Sequence, residues 1–474
     1  MEKVVDILPT ERNKILSRFA DKFEVAHYLN RKIVSFQSNK SEPIYRWFKY
    51  KEGFSSALVK YFLSEYATKP GRILDPFAGI GTTLFAAQEN GWKADGIELL
   101  PVGTFVIQSR EAMNNIDPVR VKHKLKDIWK EIEKKDIYEQ FIKHISITKY
   151  AYPDDTEIYL NKYLSLCESI RDQDLRTVLK FAAFAILEGI SYTRKDGQYL
   201  RWDSRSKREL SGRPFDKGVI LTFKEAVEKK VHEIIEDLTL GKEATLFDNP
   251  NKNKSDVFPV NIISGSSLEE LPKIDNNLYD FIVTSPPYCN RYDYTRTYAL
   301  ELIFLGYSSE QVRKLRQSMV TCTVENKEKY EFLKNIYETL GKQHSFDTIV
   351  EVYSNNPAMA EVNNVLNILN KSGKLNNSNI PRMVKNYFFE MCFVVYEMAR
   401  VLKSGGYCVM VNDNVRYGGE EIPVDLILSD FAESFGFNVN KIFVLPKGKG
   451  NSSQQMGSYG RSEVRKCVYL WQKD

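Results

Sequence analysis

Five consecutive residues, Thr284, Ser285, Pro286, Pro287 and Tyr288, could hold an amino group that projects from a flat ring. The two prolines lack backbone N–H groups and fix their φ angles at about −65°, so the turn is stiff and its carbonyl oxygens remain available as acceptors. Ser285 adds a side-chain oxygen, and Tyr288 adds a ring on which an aromatic partner can stack. Taken alone, Pro-Pro-Tyr is more typical of a surface turn or a polyproline ligand, so its context decides.

A second group of residues, far upstream, is typical of a nucleotide-binding βαβ unit. An apolar run ends at Asp75, a turn with Gly79 and Gly81 follows, and a helix-like stretch then leads to a second apolar run that ends at Glu98. The glycines let the backbone approach a ligand closely, and the acid can accept hydrogen bonds from ribose hydroxyls. Because the third glycine of the dinucleotide fingerprint is missing and Asp75 opens the loop, the pattern favours a cationic or zwitterionic nucleoside over a pyrophosphate.

Strands must position both groups of residues. The apolar run at residues 279–283 predicts a short buried strand whose carboxyl end presents Ser285 and its neighbours at the edge of a sheet. Residues 260–263 predict another strand, followed by a tight turn. Further strands are predicted at 407–411, 439–445 and 466–471, and helices at 118–144, 172–192, 381–402 and 424–434.

The sequence resembles the amino-methylating DNA methyltransferases, which use S-adenosyl-L-methionine. The resemblance lies in two motifs and their order: Asp-Pro-Phe-x-Gly-x-Gly-Thr-Thr, which begins at Asp75, and then Thr-Ser-Pro-Pro-Tyr, which begins at Thr284. The resemblance implies an α/β fold: a doubly wound, seven-strand Rossmann-like sheet whose last strand is antiparallel, with an inserted, mostly helical target-recognition region. Serine before the two prolines is more typical of the branch that methylates the N4 amine of cytosine, whereas Asp or Asn is more typical of adenine-N6 enzymes.

The function that this resemblance implies is site-specific methylation of cytosine N4 in duplex DNA, as the modification enzyme of a restriction-modification system. An adenine-N6 DNA methyltransferase and, less favoured, an RNA amine methyltransferase are the alternatives. A third alternative is a DNA-binding or scaffold subunit with a degenerate fold, but such a protein would be expected to have lost Gly79, Gly81, Glu98 or Tyr288, and all are present.

The resemblance also assigns residues to the site. The catalytic residues would be Ser285, Pro286, Pro287 and Tyr288. Ser266 stands where related enzymes often carry an acid for the adenine amine, and residues 51–56 resemble a segment that folds over the methionine end of the cofactor, although an ordinary helix on the sheet edge is the alternative. The predicted cofactor-binding residues are Asp75, Phe77, Gly79, Gly81, Thr82, Glu98, Phe54, Ser266 and Thr284.

A stretch at residues 192–213 combines arginine, lysine, aromatic and amide side chains, which suits nucleic acid. The alternative is a charged surface loop balanced by acids. The predicted DNA-binding residues are Arg194, Lys195, Gln198, Arg201, Arg291 and Arg296. By resemblance the chain divides into three parts: a cofactor-binding part at 1–100, an inserted helical target-recognition region at 101–255, and a catalytic part at 256–474. The catalytic part contains an insertion at 306–380, which either extends the DNA-binding face or forms a lid.

Composition sets outer limits on these interpretations. The 474 residues are 43% apolar, enough for one large core with inserted substructure or for two domains, and the net charge of +5 does not by itself indicate a nucleic-acid partner. Six scattered cysteines and five dispersed histidines form no metal-binding pattern. With neither a signal-peptide layout nor a long apolar run, the sequence predicts a cytoplasmic protein that needs neither metal nor membrane. The resemblance implies that it acts on double-stranded DNA and that any restriction endonuclease acts separately. A monomer is expected, because one base on one strand needs one site.

Overall fold

A computed structural model describes residues 10–134, 141–196, 199–209, 215–248, 258–446 and 464–474. The strands are β1 (Phe23–Val25), β2 (Arg72–Asp75), β3 (Lys93–Glu98), β4 (Thr193–Asp196), β5 (Tyr199–Trp202), β6 (Asn261–Ser264), β7 (Tyr279–Thr284), β8 (Leu402–Asp413), β9 (Val415–Tyr417), β10 (Glu420–Ile422), β11 (Phe437–Val444) and β12 (Lys466–Lys473).

Helices connect and cover these strands. They are α1 (Thr10–Arg18), α2 (Ser56–Tyr66), α3 (Thr82–Glu89), α4 (Pro101–Asn114), α5 (Pro118–Lys134), α6 (Asp154–Glu168), α7 (Gln173–Phe184), α8 (Leu187–Ile190), α9 (Phe223–Asp248), α10 (Ser267–Glu270), α11 (Tyr294–Thr297), α12 (Ala299–Phe304), α13 (Ser309–Ser318), α14 (Tyr330–Thr339), α15 (Gln343–Ser354), α16 (Pro357–Lys371), α17 (Ile380–Val401) and α18 (Val424–Ser434). Within the described ranges, no helix is both long and apolar enough to cross a membrane.

The central sheet has the strand order β1-β11-β12-β8-β7-β2-β3-β6. Every neighbouring pair is parallel except the two that involve β12, which runs antiparallel to both β11 and β8. The expected antiparallel last strand is therefore present, but the sheet has eight strands where seven were predicted. The additional strand, β1, spans three residues at the sheet edge, and so short a strand has too little alternation to be recognised in a sequence.

Alternating side chains of the central strands explain why helices pack on both faces of the sheet. Ile73 and Phe281 point into a core formed with α2 and α3, whereas Leu74 and Ile282 point into a core formed with α17 and α18. The strands are thus apolar on both sides, as buried parallel strands are. The same arrangement places the carboxyl ends of β7, β2 and β3 side by side at one edge.

Helices α4 to α9 form most of a third core, which lies in the region predicted to be inserted. The helix predicted for 118–144 is observed as α5 over Pro118–Lys134, and residues 135–140 lie outside the described ranges. The helix predicted for 172–192 is divided into α7 and α8. Residues 192–213, for which the sequence indicated no strand, contain the antiparallel hairpin β4–β5.

Residues 306–380 fold into the four helices α13 to α16. Leu333, Phe346 and Val362, one from each of the last three, are buried in the core shared with α17. This segment therefore forms a layer over one face of the sheet, and its apolar side chains are used for packing.

Candidate active site

A cavity opens at the carboxyl ends of β2, β3 and β7. It brings together seven of the predicted cofactor-binding residues and two of the predicted catalytic residues. Its walls comprise Tyr50, Glu52, Gly53, Phe54, Asp75, Pro76, Phe77, Ala78, Gly79, Ile80, Thr82, Ile97, Glu98, Leu99, Leu100, Ser266, Ser267, Ser285, Pro287, Tyr294, Met319 and Val320. Of the predicted residues, Gly81, Thr284, Pro286 and Tyr288 are not part of the lining.

The glycine turn between β2 and α3 fits closely against its neighbours. Gly79 and Gly81 have φ angles of 55° and 78°, a region that favours glycine. A Cβ atom on Gly79 would lie 3.2 Å from the ring of Tyr50, and one on Gly103 of α4 would lie 2.1 Å from the carbonyl oxygen of Gly79. The turn is therefore held from two sides by residues outside the motif, and only glycine permits this packing.

Glu98, at the end of β3, presents a buried carboxylate to the cavity. Its two oxygens accept hydrogen bonds from the backbone N–H groups of Gly79 and Leu100, each at 2.6 Å. Burial raises the pKa of Glu98 to about 8, against the effect of these two donors. Because carboxylate oxygens have further lone pairs, Glu98 can still accept hydrogen bonds from the hydroxyls of a ribose.

Asp75, at the end of β2, anchors two neighbouring elements. Its carboxylate accepts hydrogen bonds from the hydroxyls of Thr83 and Thr284, both at 2.7 Å, and from the backbone N–H of Phe77 at 3.0 Å. Burial raises the pKa of Asp75 to about 6, and these three donors oppose that rise. Thr284 thus acts on the site through Asp75, since it does not line the cavity.

The turn after β7 forms one side of the cavity, to which Ser285 contributes a hydroxyl and Pro287 a ring. The hydroxyl of Ser285 donates to the phenol oxygen of Tyr288 at 3.2 Å, which leaves the lone pairs of Ser285 available as acceptors. Burial, and secondarily the negative charge of Asp413, raises the pKa of the Tyr288 phenol. Tyr288 therefore stays neutral, with its ring only partly buried beside the cavity.

Cys289 directly follows this turn and is fully buried. Burial raises the pKa of its thiol well above the ordinary value, so the sulfur is a packed, protonated side chain. This position does not supply the thiolate nucleophile that methylation of a cytosine ring carbon would need.

The far end of the cavity combines Ser266 with residues that no motif indicated. The hydroxyl of Ser266 donates to the carbonyl oxygen of Ser318 at 2.8 Å, and Met319 and Val320, which follow Ser318, line the same cavity. These two apolar side chains come from a turn about fifty positions downstream, so only the fold brings them to the site.

The structure separates the predicted DNA-binding residues. Arg194 and Arg201 are exposed on the hairpin β4–β5, each over the ring of Phe215, at 5.4 and 4.4 Å from its centroid. Lys195, by contrast, is buried and its ammonium group lies 2.6 Å from the carboxylate of Glu301, so its charge is used within the chain. A strand directs neighbouring side chains to opposite faces, which explains the difference. Gln198 lies outside the described residues.

Arg291 and Arg296 lie just after the turn that follows β7. Arg291 has a φ angle of 65° and donates to the side chain of Asn376 at 3.0 Å. Arg296 is paired with the carboxylates of Asp293 and Glu325. Both arginines are half-buried, and the charge of Arg296 is used within the chain.

Comparisons with known proteins agree with this geometry. A family model described as DNA methylase, of the N6/N4 type, matches residues 27–103. The chain is 46% identical to the Type II methyltransferase M.AvaI of Nostoc sp. and of Anabaena variabilis, over 97% of this chain and 93% of the relative. It is 40% identical to the Type II methyltransferase M.BsoBI of Geobacillus stearothermophilus, over 98% and 92%. The Type II methyltransferase M.MvaI of Kocuria varians is 22% identical, over 91% and 88%.

Proposed function

Because this chain belongs to the N4/N6 family of DNA methylases, we propose that it is the modification methyltransferase of a Type II restriction-modification system. Its substrates are S-adenosyl-L-methionine and a cytosine, methylated on N4 at a specific site in duplex DNA. The observation that supports this most is the shared cavity. Ser285 and Pro287 line the same space as Glu98 and the glycine turn, so an amine held at the first pair would face a nucleoside held at the second.

The cavity fits S-adenosyl-L-methionine, which when bound supplies an electrophilic sulfonium methyl group. Glu98 accepts hydrogen bonds from the ribose hydroxyls. Tightly packed Gly79 brings the backbone close to the ligand, and Met319 with Val320 gives the adenine an apolar surface. The lining residues given above include no lysine and no arginine. Such a wall suits a ligand that is itself cationic at sulfur.

The turn after β7 prepares the amine. Within a duplex, the N4 amine of cytosine is paired and its lone pair is delocalised into the ring, so the base must leave the helix. Tyr288 stacks on the extruded ring. Ser285 and the carbonyl of Pro286 accept hydrogen bonds from the two amine protons and draw the nitrogen toward a tetrahedral, nucleophilic state. They would also stabilise the positive charge that develops on the nitrogen as it takes the methyl group, while the bond from that carbon to sulfur breaks and neutral S-adenosylhomocysteine leaves.

The released proton can pass to water, so a strong base is not required. Much of the rate then comes from positioning two reactants in line, which is the task of a stiff turn. Two prolines in succession and the Ser285–Tyr288 hydrogen bond supply that stiffness.

We assign target recognition to the region 101–255 and phosphate contact to the hairpin β4–β5. The exposed Arg194 and Arg201 support this assignment. A cleft adjoining the hairpin has the same character, since it is lined by both cations and aromatic rings, among them Lys149, Tyr150 and Tyr192. Such surfaces suit phosphates and bases. The protein acts as a monomer, because one base on one strand needs one site, and any cognate endonuclease acts separately.

Incubation with methyl-labelled S-adenosylmethionine and DNA, followed by digestion to nucleosides, tests the proposal. The expected product is N4-methylcytosine. Label recovered only as N6-methyladenine would establish the alternative base, for which the same cavity serves equally. Label transferred only to RNA would reject the DNA substrate, and absence of cofactor binding in calorimetry would reject the enzyme.

A further inference from the structure

An apolar tip, residues 218–221, adjoins the outer face of the hairpin β4–β5, and neither motif accounts for it. Val219, Ile220 and Leu221 follow Gly218, which has a φ angle of 82°. Val219 is 88% exposed, the highest value among the large apolar side chains that the structure describes, and Leu221 is 38% exposed. Consecutive apolar residues at so exposed a position are typical of a contact with another molecule.

The chain that leads into the tip is anchored by several hydrogen bonds. The backbone N–H of Lys217 donates to the carboxylate of Asp203 at 2.6 Å, and the guanidinium group of Arg205 donates to the carbonyl oxygen of Gly218 at 2.8 Å. The ammonium group of Lys217 donates to the carbonyl oxygen of Glu188. The three apolar residues, by contrast, form no backbone hydrogen bond with another described residue. The tip therefore projects from a fixed support.

The surroundings of the tip favour a polyanion as its partner. The guanidinium groups of Arg194 and Arg201 lie over the ring of Phe215, so the chain that leads to the tip packs on the outer face of the hairpin. Within the described ranges neither arginine is paired with a carboxylate, whereas the carboxylate of Asp216 lies 3.6 Å from the guanidinium of Arg205. Duplex DNA combines phosphates for these two cations with stacked bases for an apolar tip.

Glu188 connects the support of the tip to the cavity wall. Its carbonyl oxygen accepts from Lys217, and its carboxylate accepts from the backbone N–H of Lys195 at 3.0 Å. The same carboxylate lies 3.3 Å from the ammonium group of Lys49, which directly precedes Tyr50 of the cavity wall. A duplex that spans the hairpin and the cavity therefore meets the tip as well.

Resting on the proposed function, we infer that Val219 and Leu221 form a wedge that enters the duplex and fills the space left by the extruded cytosine. Extrusion of a base costs the pairing and stacking of that base. An apolar side chain inserted between the neighbouring bases recovers part of the lost stacking, as apolar wedges do in proteins that kink DNA. A wedge must also hold its place against the closing duplex, which agrees with the anchored support of the tip.

Single-turnover methyl transfer on two duplexes tests the wedge. Both carry the sequence that the protein methylates, and in the second duplex the base opposite the target is mismatched. For Val219→Ser with Leu221→Ser we expect the rate on the paired duplex to fall about tenfold or more, because the cost of extrusion is no longer offset. On the mismatched duplex the rate should stay within about threefold of that of the unaltered protein, because a mismatched base is extruded at lower cost.

Val25→Ser with Leu340→Ser is the matched control. It removes another valine and leucine that are 58% and 37% exposed, and it should leave both rates unchanged. The wedge variant itself should keep its affinity for S-adenosylhomocysteine and its slope of log DNA affinity against log salt, because it loses neither a cofactor contact nor a phosphate contact.

Equal rates of the wedge variant and the unaltered protein on the paired duplex, or an equal loss on both duplexes, would overturn the inference. So would light scattering that shows a dimer of the unaltered protein and a monomer of the variant, since the tip would then contact a second copy. Should the double variant not fold, Val219→Ser alone should show a smaller loss that is again confined to the paired duplex. Absence of transfer by the unaltered protein to either duplex would instead reject the proposed function.

Discussion

Tyr288 contributes two separable groups, a ring and a hydroxyl. The ring is available to stack on a base, and the hydroxyl accepts the hydrogen bond from Ser285, which orients the serine lone pairs. Tyr288→Phe should therefore keep stacking and reduce single-turnover methyl transfer about tenfold, the cost of one hydrogen bond. Tyr288→Ala should lose a further factor of ten or more, because stacking contributes roughly 1–3 kcal/mol per base. Equal rates for the two variants would contradict this division of roles.

The proposed contact between Glu98 and the ribose predicts that cofactor affinity depends on pH. In that contact the hydroxyls donate to the ionised carboxylate, so ligand binding should lower a pKa that burial, against two backbone donors, raises to about 8. Below pH 8 the ligand must displace a proton, and affinity for S-adenosylhomocysteine should rise by up to about tenfold per pH unit until it levels off above pH 8.

Calorimetry between about pH 7 and pH 8.5 measures this slope in a window above the pKa of Asp75, about 6. Glu98→Gln should bind more weakly and without the slope. A slope retained in that variant would assign the titration to another group.

At the scale of elements, α4 packs directly against the glycine turn. A Cβ on Gly103 would meet the carbonyl oxygen of Gly79 at 2.1 Å, and backbone cannot yield without moving the turn. Gly103→Ala should weaken binding of S-adenosylhomocysteine by about tenfold or more, since overpacking costs about 1–3 kcal/mol. Gly189→Ala on α8, where a Cβ would meet no atom within 4 Å, is the control. Normal affinity of Gly103→Ala would show that the turn adapts.

Elements close to the motifs were predictable from sequence, because their signals are local. The apolar runs that end at Asp75, Glu98 and Thr284 are strands, and the fold brings their ends together. Gly103 and Met319 lack such signals: the first is one glycine in an ordinary helix, and the second reaches the cavity only through long-range packing. Likewise, the sequence analysis placed Lys195 with Arg194 among the DNA-binding residues because both are cations in one stretch. Only the pairing of β4 with β5 identifies that stretch as a strand, in which neighbouring side chains face opposite ways.

At the scale of the whole molecule, a buried ion pair joins the hairpin β4–β5 to α12. The ammonium group of Lys195, on the hairpin, is paired with Glu301 and lies 4.1 Å from the ring centroid of Tyr298, which in turn donates to Glu52. The hairpin base is therefore fixed relative to the cavity, while its outer face remains exposed. Under the proposed assignment, the hairpin would contact DNA through its outer face, and its base would keep its place beside the cavity.

Removal of the exposed hairpin charges should accordingly affect DNA alone. Arg194→Ala with Arg201→Ala should weaken binding to duplex DNA and reduce the slope of log affinity against log salt by about 2, one for each phosphate contact. Affinity for S-adenosylhomocysteine should not change. Arg313→Ala with Lys371→Ala removes two exposed charges from residues 306–380 and should leave the slope intact. If this second pair lowers the slope and the first does not, the DNA-binding face lies on α13 to α16, and the hairpin is a structural element.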